Sequence, residues 1–399
     1  MAGPLEGIRV VEMGVWVAGP SCAAILADWG AEVVKLEPPE GDPFRGLGAA
    51  FGMAMNPPFE LDNRGKRSVA VNLETPEGRA IAGALIDRAD VFVTNMRPRA
   101  LERLGMTYEE LSARNPGLIY CQVTGYGPDS PEANRAAYDV GAFWSRAGVA
   151  AGLTPEGAEP PLQRGGMGDH MTGSNAAGAV AAALFARTRT GRGQRVAVSL
   201  TRIGVYMMGW DTNTQLRLQP PPTPPHDRRH APNPLINPYR DAEGRWFYLL
   251  LLQGDRHWPD LLRALGNPPE LAQDPRFADI PGRRDNAPAL VAALDRIFAT
   301  KPLAEWGPIF DAHDVWWAPI LSVAEVVRDP VVRAAGAFVE LESPDGVVEQ
   351  VNTPADFFGT PARPHGWAPE LGQHTEEVLL ELGYDWEQIA ALKDAGAIL

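Results

Sequence analysis

The sequence predicts an α/β protein built on an open, largely parallel sheet. Three observations carry this prediction. The first forty residues run strand, loop, helix, strand, the repeating unit of a parallel sheet. The same alternation continues to about residue 124. Hydrophobic residues make up 45% of the 399-residue chain, enough for a sizeable core and for two or three domains.

Ile8-Arg9-Val10-Val11 is a β-branched run ending at Glu12-Met13-Gly14. Residues 20–29 read as a helix, with Pro20 in the first turn and Gly30 as the stop. Residues 32–37 form the next strand. Strands follow at 68–73, 90–94 and 118–124, with a helix at 75–88 opened by Thr75-Pro76-Glu77-Gly78. Ligands of such sheets bind beyond the carboxyl ends of the strands. The loops 14–20, 95–99 and 125–127 are therefore the candidate ligand loops. From Asp139 to about Gln219 the chain reads as helical, and the Ala- and Gly-rich stretch 169–189 should pack closely. A turn at 190–194 leads into a strand at 195–199. The prolines between residues 220 and 225 exclude helix and central strand, so 220–231 reads as a stiff linker. It divides an N-terminal domain, 1–219, from a smaller one, 232–328, with its own β run at 246–252. Residues 329–399 add short strands at 338–341 and 347–351 and a helical pair from Thr375.

The charge balance narrows the function. Fifty Asp and Glu against 36 Lys and Arg give a net charge of −14, which argues against a general nucleic-acid-binding surface. The 41 glycines and 38 prolines stay below the roughly 25–30% that marks low-complexity disorder. Cys22 and Cys121 cannot build a disulfide framework, and neither they nor the histidines show metal-ligand spacing, so no metal is expected. No apolar run approaches the ~20 residues of a membrane span, and the first residues lack a signal-peptide pattern. The expectation is a cytoplasmic protein without membrane or nucleic-acid partners. Lys66 draws notice because lysine occurs only at positions 35, 66, 301 and 393.

Motifs for the commonest ligands of a strand–loop–helix start are missing. There is no GxxxxGK[ST], no GxGxxG after the first strand, no GxSxG and no HExxH. Basic residues do cluster at strand edges, in Asn63-Arg64-Gly65-Lys66-Arg67-Ser68 and in Asn95-Met96-Arg97-Pro98-Arg99 with Arg103. They suit a polyanionic ligand, or they are ordinary solvated loop charge. Asp169 ends the glycine-rich stretch Gly165-Gly166-Met167-Gly168 where a long helix begins. One reading is a helix cap worth ~1 kcal/mol. The other is a nucleophile, its carboxylate favoured by the helix N-terminus and approached past residues without side chains.

The order and spacing of longer segments resemble the class III CoA-transferases, the CaiB/BaiF family. The resemblance begins with Pro4-Leu5-Glu6-Gly7-Ile8-Arg9-Val10-Val11-Glu12, Ala18-Gly19-Pro20 and Leu26-Ala27-Asp28-Trp29-Gly30-Ala31-Glu32-Val33-Val34-Lys35-Leu36-Glu37. It continues through the two basic segments, Asp90-Val91-Phe92-Val93-Thr94, Leu101-Glu102-Arg103-Leu104-Gly105, Gly125-Tyr126-Gly127 and Thr190-Gly191-Arg192-Gly193-Gln194. It ends with Gly372-Gln373-His374-Thr375-Glu376-Glu377-Val378-Leu379, and so runs from residue 4 to about residue 385.

The resemblance implies a Rossmann-like large domain formed by both chain ends, a smaller α+β domain, and an interlocked homodimer. It implies transfer of CoA from an acyl-CoA to a carboxylic acid, with Asp169 as nucleophile through aspartyl anhydride and aspartyl-CoA intermediates. CoA and acyl-CoA are then substrates, and no tightly bound cofactor is expected. Asn95, Met96, Arg97 and Arg103 match the positions that hold pantetheine and phosphates. Val71 and Leu73 match the adenine clamp, and Tyr138 a position beside the thioester. Val15, Trp16 and Val17 should face the acyl group, and backbone N–H groups near Gly166 and Gly168 would form an oxyanion hole. Arg103 should matter to binding where an outlying arginine such as Arg283 should not. Branched acyl-CoA racemases share the fold but carry a His where Tyr138 stands, and a Tyr with pKa ~10 is a poor base near neutrality. They are the alternative, along with a non-catalytic acyl-CoA-binding protein. Oxalate-using members carry a Gln where Val17 stands and a glycine-rich loop where this chain has Leu249-Leu250-Leu251-Leu252-Gln253-Gly254-Asp255, which implies an acceptor of apolar character.

Overall fold

The structure is a computed structural model that describes residues 3–218 and 227–399. Residues 220–226 of the expected linker lie outside the described residues; Arg228–His230 near its end is a short 3-10 turn.

Six strands form one sheet: β1 (Arg9–Met13), β2 (Glu32–Glu37), β3 (Lys66–Ala70), β4 (Val91–Thr94), β5 (Ile119–Thr124) and β6 (Gln194–Ser199). Their order is β3-β2-β1-β4-β5-β6, and every neighbouring pair is parallel. Strand alternation sends Val10, Val33, Val91, Ile119 and Cys121 to one face, packed with Cys22, Leu26, Ala176 and Val180. Val11, Val34, Phe92 and Tyr120 point to the other, packed with Ile81, Ile86, Leu379 and Ile389. Both faces are covered, as a parallel sheet requires. The third strand is displaced toward the N-terminus from its expected span. Val71, just past its end, still donates to the Glu37 carbonyl and also bridges Ile398 near the chain's end. The helix Pro76–Asp87 starts where its sequence indicates, with the Thr75 hydroxyl accepting from the Gly78 N–H.

The helix Ala18–Asp28 packs on the long helix Met167–Thr190. Gly173 permits the approach: a Cβ there would stand 2.0 Å from Ser21 Oγ. This contact places the first turn of the long helix beside the loop that follows β1.

The chain divides into two compact units. The first comprises Met1–Gly152, Leu162–Asn213 and Arg333–Leu399 and holds the six-stranded sheet. The second comprises Leu153–Pro161 and Thr214–Val332, so a short segment from the middle of the N-terminal region clusters with it. Its strands Ile236–Arg240, Trp246–Leu250 and Trp317–Pro319 form an antiparallel sheet. Tyr239, Phe247, Phe298 and Phe310 form its aromatic centre. Arg283 belongs to this packing rather than to the surface. It is 1% exposed, pairs with Asp255 and lies over the Trp258 ring, so its guanidinium is a structural group.

Candidate active site

A cavity of about 230 Å³ opens at the carboxyl ends of β1, β4 and β5. It lies where the strand order turns back between β1 and β4, the position at which open α/β sheets bind ligands. Trp16, Asn95, Arg97, Gly125, Tyr138 and Asp169 are among the residues that line it. All belong to the first unit. Residues from each of the three expected ligand loops meet there.

A buried ion network holds the first loop in place. Glu12 lies within β1 and is fully buried. One of its oxygens meets Lys35 Nζ at 3.1 Å and the other meets Lys66 Nζ at 2.9 Å. Lys35 also donates to Asp42 and to the Gly14 carbonyl, and Lys66 donates to the Pro20 carbonyl. The Gly14 N–H returns to Glu12, and the Trp16 N–H reaches Asp42. Burial pushes the Lys35 ammonium down, but Glu12, Asp42 and Glu37 outweigh it and hold it above its ordinary value. Lys66 is pushed down by burial and by Lys35, with Glu12 opposing.

Asn95 ties the second loop to the first. Its amide donates to the Val15 carbonyl at 2.7 Å and accepts from the Val15 N–H at 3.0 Å. The Asn95 side chain is thus a structural clamp as well as part of the wall. The wall itself is strained. Trp16 and Tyr138 both hold left-handed backbone, with φ of 63° and 45°. Non-glycine residues there cost about 1–3 kcal/mol each, and such strain clusters at functional sites. Tyr138 and Asp139 lead into the π-helical turn Val140–Arg146, a form that also concentrates at such sites.

Asp169 is not the helix cap. The helix Met167–Thr190 has Gly166 as its N-cap, in left-handed conformation with φ 73°, and Asp169 sits in its first turn. Its carboxyl is pushed up to about 7, first by burial and then by the charges of Asp139 and Asp62, with His170 opposing. The helix end therefore does not keep the group fully ionised, contrary to the expectation from position alone. Asp139, 8% exposed, accepts from the Gly168 N–H at 3.3 Å and from the Gln163 amide. With that hydrogen bond in place, the Gly168 N–H is not available as an oxyanion donor. Gly168 is required for space: a Cβ there would stand 2.4 Å from the Phe143 ring.

Two larger hollows adjoin the first. One, of about 740 Å³, is lined by Val15, Asn95, Met96, Arg97, Arg99 and Arg103 among others. The other, of about 490 Å³, is lined by Met13, Val15, Leu36, Val71, Leu73 and Met96 among others. Val15 and Met96 border all three. Val71 is 1% exposed and packs mainly in the core, so Leu73 carries more of that wall. Val17 is 9% exposed and packs on Phe44 and Phe59, so it borders the site from within a small core.

One half of the expected basic cluster is consumed structurally. Arg64 makes a two-pronged contact with Asp28, Lys66 serves Glu12, and Arg67 pairs with Glu377 and Glu381. Their positive charge is already neutralised by carboxylates. Arg97, Arg99 and Arg103 are exposed at the hollow, and none of them forms an ion pair among the described residues. Sequence reading missed Glu12, Lys35, Asp42, Asp62 and Asp139 as parts of the site. A signal existed for Glu12 and Lys35: each is a charge inside an apolar strand, which a buried sheet tolerates only when paired.

Among the described residues no group of His, Cys, Asp and Glu is arranged to hold a metal ion, and no helix is long and apolar enough to cross a membrane.

Residues 5–375 match CoA-transferase family III. The chain is 35% identical to (R)-2-hydroxy-4-methylpentanoate CoA-transferase of Clostridioides difficile, covering 99% of both chains. It is 30% identical to cinnamoyl-CoA:phenyllactate CoA-transferase of Clostridium sporogenes, covering 97% of this chain and 95% of that one. A CaiB/BaiF family protein from Brucella suis superposes with a TM-score of 0.83 at 32% identity, over 96% of this chain and 100% of the other. The chain belongs to CoA-transferase family III. It is an enzyme of the class III type, acting on CoA thioesters and carboxylates.

Proposed function

We propose that Asp169 is the nucleophile that carries CoA from an acyl-CoA to a carboxylic acid. The observation behind this reading is positional. Asp169 is the one carboxylate lining the cavity among the described residues, at the carboxyl ends of three parallel strands. Its carboxylate oxygen attacks the thioester carbonyl carbon, the C–S bond breaks, and CoA thiolate departs from a mixed anhydride. The thiolate then attacks the aspartyl carbonyl, leaving an aspartyl-CoA thioester and the donor acid. The acceptor carboxylate attacks that thioester and again releases thiolate. The thiolate takes the acceptor's acyl group and frees Asp169. Asp169→Ala should abolish transfer, and hydroxylamine should trap an adduct on Asp169 in acyl-CoA-treated enzyme. Transfer by the Ala variant would refute the role.

Acyl-CoA is a substrate in this scheme, not a resident cofactor. Its adenine is assigned to the hollow at Val71 and Leu73, its phosphates to Arg97 and Arg103, and its pantetheine to the stretch past Asn95 and Met96. The acyl group faces Val15, Trp16, Val17 and Tyr138. The Gly166 backbone is the remaining candidate for oxyanion stabilisation.

The acceptor acid has an apolar body. The first loop presents Val15, Trp16 and Val17, and the two relatives named above are those of a branched aliphatic and an aromatic 2-hydroxy acid. A panel of acyl-CoA donors crossed with carboxylic acids, read by mass spectrometry, tests this. Oxalate outranking larger acids would overturn it. A homodimer is proposed as the working form, supported by Tyr206 and Phe185, 84% and 63% exposed; light scattering tests it. The buried free thiols of Cys22 and Cys121 suit a reducing compartment, and the cytoplasm is the proposed location.

A further inference from the structure

We infer that His170, held by Asp62, is a positioning residue: its imidazolium is the counter-ion that favours the ionised form of Asp169 needed for attack. The inference rests on Asp169 being the nucleophile.

The helix Met167–Thr190 carries Asp169 and His170 side by side in its first turns. His170 Nε2 lies 3.0 Å from Asp62 Oδ1, on the separate helix Pro57–Asn63. The adjoining Cε1–Nδ1 edge of the ring faces Gly166: a Cβ there would stand 3.3 Å from His170 Cε1 and 3.4 Å from Nδ1. The ring is thus pinned between a buried carboxylate and the helix cap. The ring is 46% exposed and is not among the residues that line the acyl cavity. That geometry separates it from a proton-abstracting base.

Charge gives the pinned ring its purpose. Asp62 is 2% exposed, and its second oxygen is buried with no hydrogen-bond partner. A buried carboxylate left half satisfied is costly unless it faces a cation. Asp62 from the neighbouring helix meets the ring directly, and Asp169 on its own helix and Asp139 from the turn before residues 140–146 add their charges from further off. Burial opposes protonation of His170, but the Asp62 hydrogen bond and the three carboxylate charges outweigh it and raise its pKa. In return His170 pulls Asp169 down against burial and against Asp139 and Asp62. The imidazolium is the cation that meets Asp62 directly, and the buried Lys66 ammonium, bonded to the neighbouring Asn63, is the other positive charge that interacts with Asp62.

The test reads pH profiles of kcat/KM for the full enzyme and for His170→Gln and His170→Lys, with Asp169→Asn alongside. The Gln variant should lose activity about fivefold at pH 7 and regain it near pH 9, its acidic limb moved up by about one pH unit. The Lys variant, which restores a cation, should move back toward the parent. A uniform loss at every pH, or an unchanged profile, would overturn the inference. Should His170→Gln fail to fold, the proton-linked NMR shifts of His170 in the parent protein decide. Titration above 6.5 is expected, and titration at or below 6.5 overturns the proposal. If Asp169→Asn retains transfer, the nucleophile assignment itself has failed. If Asp169→Asn is inactive while the His170→Gln profile is unmoved, only the present inference falls.

Discussion

Trp16 and Tyr138 meet edge to face at the mouth of the cavity, ring centroids 5.7 Å apart and planes at 90°. They arrive from opposite parts of the first unit, each on a left-handed backbone that disfavours a large side chain. The pair joins the loop after β1 to the approach of the π-helical turn. It closes one side of the space in front of Asp169.

Loss of that pair should be read in binding. Tyr138→Ala should raise the KM for acyl-CoA by about 2–10-fold, the range set by an aromatic pair worth about 0.5–1.5 kcal/mol. Tyr138→Phe keeps the ring and should change it little. If Tyr138→Phe were as damaging as Tyr138→Ala, the hydroxyl rather than the ring would be the working part.

The pH dependence follows from Asp169. With its carboxyl pushed up to about 7, kcat/KM should rise as pH increases through neutrality. Stability should move the other way. A carboxyl raised in the folded state binds its proton more tightly there than in the unfolded chain. Stability is then lost as pH climbs from the ordinary value of 3.8 toward 7. Asp169→Asn escapes that loss. It should leave stability nearly unchanged near pH 4 and raise it by about 2 kcal/mol at pH 8, while transfer falls by at least about a thousandfold. Urea denaturation at the two pH values checks the first part, and a steady-state assay the second.

The ion network under the first loop predicts a structural failure with a functional consequence. Glu12→Gln leaves Lys35 and Lys66 buried without their shared carboxylate, a loss of about 3–5 kcal/mol. Activity should fall with it, because the Gly14 and Pro20 carbonyls lose their anchored donors. Denaturant midpoints and activity measured on the same preparation test the link. Full stability in the Gln variant would show that the network is not what holds the loop.

Arg97 and Arg103 can be separated from ordinary surface charge. Removing either should raise the KM for acyl-CoA about tenfold, as expected for a charge-assisted hydrogen bond of about 1.5 kcal/mol, and should weaken its salt dependence. Arg192→Ala is the proper comparison, since Arg192 is exposed and lies outside the hollow. Arg283→Ala would instead empty a buried ion pair. Equal effects at Arg103 and Arg192 would return the cluster to solvated charge.

Local pattern alone pointed to the parallel sheet and to the loops at its strand ends. The β-branched runs that became β1, β2, β4 and β5 alternate in register with both faces of the core. That periodicity is local and can be read without coordinates. The candidate loops at residues 14–20, 95–99 and 125–127 followed from the strands, while Asp169 became the candidate nucleophile through the family resemblance, its glycine-rich approach alone leaving a helix cap open. How the charges pair came from the packing. Glu12, Lys35 and Lys66 are 54 residues apart at the extremes, and Asp62 and His170 are 108 apart. Spacing along the chain says nothing about such meetings. For the same reason the basic stretch at Arg64–Arg67 looked like Arg97–Arg103 in sequence and proved different in space. Burial against a carboxylate neutralises one and leaves the other free. The ionisation of Asp169 was decided there too, since desolvation and the approach of Asp139 are properties of the packed site rather than of the residue's place in a helix.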